Sequence, residues 1–533
     1  MATTAETITL IETASSWCSS HGILMGARDR LTKEPLMGKY IFEPAPFSLF
    51  PTLFSKSAFA LAYQMAKPFN SMVHNVASDK EWLLSAIQVA AQGDSDFTGR
   101  LVQLAQEVLA REARNQQPRA QKVVLGILRY VWFGGELEIL CSCLVITRAC
   151  SNQWMDLCFS RSDYMLHGSD SIETAIPLQV ELNTIASSFG CLSSKVTKMH
   201  QNLQHLNDRN DLPDNGAAQG IANGLATALQ EYNRQRTLQL TSAATDNTNT
   251  TTTDAVVVMV VQPGETNSCD QRDLEFLLKE EHGVRLIRRT LEDLAVAATH
   301  QGLWDGLELY LTGDDGTDVV AGVVYYRAGY TPNDYPSDVE WAGRAIVEHS
   351  AAIKCPDVFY HIVGAKKIQQ ALAQQGVLRQ FCDSNEDEEL LSSCFAGLYA
   401  LGDGDDSQVV EMALANPHGY VLKPQREGGG NNLYDADLVQ ALKQMSHAER
   451  GAFILMEKIC PPSTEGSLVR GGEVVYKGDC VCELGVFGVT LREYGGRTIL
   501  DKAVGHILRA KSVTTDEGGV AAGYAFLSSP KLV

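Results

Sequence analysis

Between Gly419 and Tyr434 the chain reads GYVLKPQREGGGNNLY, which gathers an apolar strand, a lysine, a glutamate, three consecutive glycines and two asparagines. These are the ingredients of a loop that closes over polyphosphate. Glycines permit positive φ and close backbone approach, so Gly428, Gly429 and Gly430 can aim successive N–H groups at phosphate oxygens. Lys423 adds a positive charge, and Glu427 adds a hard oxygen suited to a metal. A bare Gly-Gly-Gly is otherwise a flexible surface turn; the flanking residues shift the reading. The run lacks the Gly-Lys-Ser/Thr ending of a Walker A loop and is not a Rossmann fingerprint. Two more segments can converge on the same nucleotide. FILMEKI offers strand-edge backbone groups from Met456 to Ile459 to a purine, and Glu483 in VCELGVFG can hold a ribose or a metal. A strand, a closing glycine loop and acidic residues fit a grasp between two sheets.

The elements that must position these residues are legible as periodicities. Gln179, Glu181 and Asn183 alternate with Leu178, Val180 and Leu182, which predicts a strand with one polar and one apolar face. From Ser57 to about Arg114, apolar residues recur at helical spacing and predict a helical scaffold. A polar tract, TSAATDNTNTTTTDA, predicts a disordered loop over about 240–254. After it, VVVMVVQPGETNSCDQRDLEFLLKEEHGVRLIRR predicts strand, helix, strand, the βαβ unit of a parallel sheet. The C-terminal third alternates strands with a helix from about Ala436 to Met445 and reads as α+β.

At 533 residues the chain is long enough for more than one core. Its 45% hydrophobic and 20% charged residues are those of a globular protein without a membrane-spanning run. A net charge of −20 disfavours nucleic acid and anionic lipid over most of the surface. The N-terminus has neither a basic segment nor a continuous apolar one, so the expected compartment is the cytosol. Thirteen cysteines without a compact framework are expected to be thiols, and the spacing of Cys141, Cys143, Cys150 and Cys158 does not fit a zinc site.

The order KPQREGGGNNLYDADLVQAL, ILMEKI, ELGVFG, GHILRAK and GGVAAG, with SDYM, VELNTIASSFG, DQRDLE, YYRAGYTPNDY, HSAAIKCPD and GAKKIQQAL upstream, resembles the eukaryotic-type glutathione synthetases of the ATP-grasp ligases across nearly the whole chain. That resemblance implies an ATP-dependent ligase that phosphorylates the cysteinyl carboxylate of γ-glutamylcysteine and passes the acyl group to glycine. It implies an α/β and α+β chain: a helix-rich part over 1–253, a βαβ substrate-binding domain over 254–365 and a C-terminal ATP-grasp domain with a lid over 366–533. The metal, Mg2+, falls to Glu181, Asn183 and Glu427. The ATP site falls to Glu181, Lys366, Lys423, Glu427, Gly428, Gly429, Gly430, Asn431, Asn432, Tyr434, Met456, Glu457, Lys458, Ile459, Glu483, Lys511 and Glu517. The dipeptide positions are Arg161, Ser187, Ser188, Glu265, Asn267, Gln271, Arg327, Tyr330, Arg509, Val520 and Ala521, and Arg509, Lys423 and Glu427 carry the catalytic roles. A homodimer is implied as well.

Departures accompany the match. Glu517 stands where relatives have aspartate, Ala186 where they often have serine, and Ala521-Ala522 resembles the glycine-using form. Relatives join VVLGILR almost directly to SDYM, whereas here an anomalous stretch occupies about 129–161. Removing Arg129–Ser160, or equivalently Tyr130–Arg161, restores VVLGILRSDYM, so a retained intron is expected and a lineage-specific insertion is the alternative. The substrate arginine is then Arg161 or Arg129, and Arg161 keeps its local context. Other readings are a ligase with a different acceptor, β-alanine or serine, and a silent homologue disabled by the insertion.

Overall fold

The computed structural model describes residues 4–27, 41–114, 154–168, 171–203, 211–243, 253–303, 307–427, 429–494 and 496–533. The helical scaffold begins where Ser55 accepts the Ala58 N–H, at 3.3 Å, to start α1 (Lys56–Ser78). Asp79 closes α1 and accepts the Trp82 N–H, at 3.0 Å, to start α2 (Lys80–Gly93). A side-chain oxygen there satisfies a donor that has no partner within the helix. Helix resumes through 100–114.

Beyond these lie β1 (Met155–His167), β2 (Ile176–Asn183), α3 (Gly190–Leu203) and α4 (Ala217–Ala243). The expected βαβ unit is present as β3 (Ala255–Val260), α5 (Ser268–His282) and β4 (Leu286–Arg289), with β3 and β4 parallel. β5 (Asp318–Tyr326) pairs parallel to the other side of β3, and short strands extend this layer to a six-stranded mixed sheet. After α6 (Lys366–Leu372), a three-stranded antiparallel sheet contains β6 (Tyr420–Pro424) and β7 (Phe453–Glu457), with α7 (Asp435–Gln444) packed on it through Leu438 and Leu442. The long strands β8 (Glu473–Glu493) and β9 (Thr498–Ser512) form the middle of a seven-stranded sheet that β1 and β2 complete.

Helices cover both faces of that sheet. Met65, Phe69, Leu83 and Ile87 of α1 and α2 share a core with Tyr164, Leu182 and Leu484, while Ile221 and Leu225 of α4 share another with Phe159 and Val489. Two glycines let α4 lie close to the strands. A Cβ on Gly220 would fall 2.2 Å from Val504 Cβ, and one on Gly224 would fall 2.8 Å from Phe159 Cε1. Among the described residues no helix is long and apolar enough to cross a membrane.

The structure corrects three expectations. Strict alternation along β2 fails, because Asp163 faces Glu181 while the next residue, Tyr164, faces Gln179; Val180 is therefore bulged out of the register. One extra residue reverses which face every residue beyond it occupies. Gln179 is buried on the opposite face, donating to Ser162 Oγ at 2.7 Å and accepting from Gln369 Nε2 at 2.9 Å. Secondly, α4 continues to Ala243, into the start of the expected loop; residues 244–252 lie outside the described residues. Thirdly, the end of the stretch over 129–161 is built into the sheet. Arg129, Cys141, Cys143 and Cys150 lie outside the described residues, but Met155–Ser160 form the buried first half of β1, each paired with β8. Removing them requires Val123–Leu128 to take over that register. Val123, Leu125 and Ile127 would then stand where Met155, Leu157 and Phe159 enter the core.

Candidate active site

β2 ends at the cleft, and its inner half presents Glu181 and Asn183 on the face that β1 supplies with Arg161 and Asp163. Asp163 is fully buried and organises this corner. Arg161 Nε and Nη2 donate to its two oxygens at 2.7 Å each, Arg509 Nη2 donates at 2.8 Å, and Asn183 Nδ2 at 3.1 Å. Arg509, from β9, also donates to Glu483 on β8. Asp163 is a site residue that sequence reading missed, although Arg161-Ser162-Asp163 has the same-face spacing that betrays Glu181 and Asn183.

Lys366, at the first position of α6, enters from the opposite side and is 4% exposed. Its Nζ lies 3.1 Å from Glu427 Oε1 and 3.6 Å from Glu181 Oε2, and donates to the Arg426 carbonyl at 2.6 Å. Burial alone would depress this ammonium, but the two carboxylates raise it above its ordinary value. Lys423 on β6, equally buried, donates to the Val180 carbonyl at 2.8 Å. The bulge is what frees that carbonyl from the ladder. With fewer close anions, burial prevails and brings Lys423 down to about 8. The carboxylates divide in the same way. Burial raises both, but Lys366, Lys423 and the two arginines pull Glu181 down to about 2, whereas Glu427, with Glu181 nearby, is pushed up to about 7. Glu181 and Glu427 thus meet at the Lys366 ammonium, and the Asn183 amide nitrogen donates to Glu181 Oε1 at 3.2 Å; two carboxylates beside an amide are a set of hard oxygens of the kind Mg2+ takes.

The glycine loop meets the segment following β9. Gly430 and Asn432 donate their N–H groups to the Glu517 carboxylate at 2.7 and 3.1 Å, and Tyr434 OH reaches the Asp516 carbonyl at 3.4 Å. Gly429 and Gly430 have φ of 75° and 79°, the region that favours glycine. Asn431 Nδ2 donates within the loop to the Gly429 carbonyl at 3.1 Å, and Gly428 lies outside the described residues. Lys511 Nζ donates to the Asp516 carbonyl, and Lys458 Nζ sits 3.2 Å from Asp516 Oδ1 and 5.5 Å from the Tyr434 ring. The FILMEKI segment needs correction. β7 is the middle strand of its sheet, so Met456 is buried between two neighbours and is no edge. Glu457 and Lys458 donate their N–H groups to the Gly397 and Gly419 carbonyls at 2.8 Å each, so both are already paired within the protein.

The remaining positions gather around α5. Glu265 accepts the Asn267 N–H at 2.6 Å and a Gln271 amide hydrogen at 3.3 Å. Arg327, buried at the end of β5, pairs with Asp270 at 3.0 Å. Asp270, also missed by sequence reading, accepts N–H groups from Phe189, Cys191 and Leu192 and so fixes the loop that carries Ser187 and Ser188. Ser188 offers its carbonyl to Arg161 at 3.5 Å. Two side chains do not face the cleft: Ser187 is 4% exposed and donates to the Phe159 carbonyl, and Val520 is packed in the core beside half-buried Ala521. Tyr330 joins the two groups, since it lines one cavity together with Asn183 and Glu427.

The family model for the eukaryotic glutathione synthase ATP-binding domain matches residues 4–133 and 140–532. Glutathione synthetase of Dictyostelium discoideum is 34% identical over 535 residues, covering 98% of each chain. The Homo sapiens glutathione synthetase is also 34% identical, covering 96% of this chain and 94% of its own. A solved structure of a glutathione synthetase-like effector from Globodera pallida shares the fold, with a TM-score of 0.69 at 18% identity, over 100% of this chain and 98% of its own. The chain therefore belongs to the eukaryotic glutathione synthase family.

Proposed function

We propose that the chain joins γ-glutamylcysteine to glycine at the expense of ATP, using an ATP-grasp cleft formed between the β6–β7 sheet and the β8–β9 sheet. The observation that carries this is the meeting of Lys366, Glu181 and Glu427, from three separate elements, at one point. In the first step a cysteinyl carboxylate oxygen attacks the γ-phosphorus and ADP leaves. In the second the glycine amine attacks the acyl carbon, phosphate leaves, and the amine gives up a proton. Neither step needs a protein nucleophile, so catalysis falls to positioning and charge neutralisation. Lys366 and Lys423 bind phosphate oxygens from the two walls, and the N–H groups of the glycine loop cover them, exchanging the Glu517 carboxylate for phosphate. Glu181, Asn183 and Glu427 hold Mg2+, which neutralises phosphate charge when bound. Arg509, fixed by Asp163 and Glu483, steadies the carboxylate and the phosphoryl group it receives. Arg161, Ser188, Arg327 and Tyr330 hold the dipeptide's carboxylates, and Glu265 its ammonium. The working form is a homodimer, which sedimentation tests.

The deciding assay is ADP release by the purified chain with Mg2+, ATP and γ-glutamylcysteine, comparing glycine, β-alanine, serine and no acceptor. Glycine-dependent release is expected. Release that prefers another acceptor, or needs none, overturns the assignment.

A further inference from the structure

Behind Asn183 and Glu427 lies a cavity of about 40 Å³, walled on its far side by Ile87, Phe97 and Leu101. Two polar side chains reach it. Gln425 and His361 are each 6% exposed, and Gln425 Nε2 and His361 Nδ1 are buried there without a hydrogen-bond partner. The amide orientation of Gln425 is fixed, because its Oε1 accepts the Lys367 N–H at 3.0 Å; the unpaired end of this cavity-lining side chain is therefore the amino group, a donor. Burial, with Arg344 nearby, holds His361 well below its ordinary value, so the ring is neutral and one nitrogen is an acceptor. A buried donor and a buried acceptor left unpaired are costly, and a water needs about 10–15 Å³ and two to four polar partners. The cavity provides both.

We propose that this cavity binds a structural water that accepts from Gln425 Nε2 and donates to His361 Nδ1 and to the Glu427 carboxylate, which makes Gln425 and His361 positioning residues for Glu427. The inference rests on the reading of Glu427 as a metal ligand. The water ties the carboxylate to α6 through Gln425, so Lys366 and Glu427 are set from one frame. Groups behind a metal ligand fix its direction, and their loss typically weakens metal binding by about 10–100-fold.

The test measures Mg2+ binding by calorimetry in the presence of a non-hydrolysable ATP analogue, with thermal unfolding as a control. His361→Phe keeps a ring against Phe97 but removes the acceptor; His361→Gln restores one. His361→Phe is expected to weaken Mg2+ binding about tenfold, leave the KM for γ-glutamylcysteine unchanged, and be rescued to within about twofold by His361→Gln. Loss of Mg2+ binding in Glu427→Gln combined with parental binding in His361→Phe overturns this inference alone. Parental binding in Glu427→Gln overturns the metal reading and this inference with it. A crystal structure of the parent chain that resolves ordered water supplies a measurement independent of any variant: density bridging Gln425 and His361 is expected, and an empty cavity overturns the proposal.

Discussion

The stem and the tip of the glycine-rich loop are neighbours in sequence but are held by different physics. In the stem, four side chains are tied to the body: Lys423 to the Val180 carbonyl, Gln425 to the Lys367 N–H, Arg426 to both oxygens of Asp94 at 2.5 and 2.7 Å, and Glu427 to Lys366. The tip, Gly429 to Asn432, reaches beyond itself mainly to the segment after β9, through the Glu517 carboxylate. The stem therefore keeps lysine and carboxylate in place whether or not the tip is closed. A loop that admits a nucleotide has to open, and this one can open without dismantling the stem residues proposed to bind it.

The comparison can be broken at either end. Replacing Glu427 by Gln should lower kcat/KM by about 100-fold or more while leaving thermal unfolding near the parent value, since it removes the proposed metal ligand from a cleft and not a core group. Unchanged turnover would remove the stem from the chemistry. Next in size is Arg426→Ala. Breaking a fully buried ion pair costs about 3–5 kcal/mol, but Arg426 is 28% exposed, so a loss of about 2 kcal/mol by denaturant unfolding is expected. Burial would raise the Asp94 carboxyl, but Arg426 and Thr98 hold it below its ordinary 3.8. A depressed acid stabilises the fold above that value, and its contribution fades as pH falls through the lower folded value, so the gap between parent and variant should narrow in acid.

A third test needs no mutation. Lys423 is brought down to about 8, so nucleotide binding, which favours the ammonium, should weaken about tenfold per unit above that pH, by calorimetry across pH 8–9.5. A flat profile would mean that Lys423 does not meet phosphate. The smallest effect belongs to the tip: Glu517→Gln replaces a charge-assisted bond by a neutral one and should speed amide hydrogen exchange at Gly430 and Asn432 about fivefold in the free protein, with the stem amides unchanged. Equal acceleration in the stem would erase the distinction.

Much of the site is legible in the sequence because its parts are local. The glycine run, the Glu181/Asn183 pair and the βαβ pattern each declare themselves within a few residues, and the family resemblance supplies their convergence. What is not legible depends on partners far along the chain. Asp163 meets Arg509 from 346 residues away, and Asp94 meets Arg426 from 332. Local spacing gives the face of an acidic residue but never its counter-ion. The central position of β7 was hidden for the same reason, since being an edge is a property of the neighbouring strand at Leu398–Ala400. The face of Gln179 was misread because periodicity assumes a register without interruption.

That interruption at Val180 divides β2 into two stretches under separate constraint. The outer stretch, where Gln179 donates its N–H to the Cys394 carbonyl at 2.7 Å, answers to the lobe packed around it. The inner stretch answers to the cleft. Substitutions that alter the pattern before the bulge can therefore accumulate without turning Glu181 or Asn183 away from the cleft, whereas loss of the single residue Val180 would remove the carbonyl that Lys423 grips. In this strand, drift in residue type is tolerable and drift in length is not.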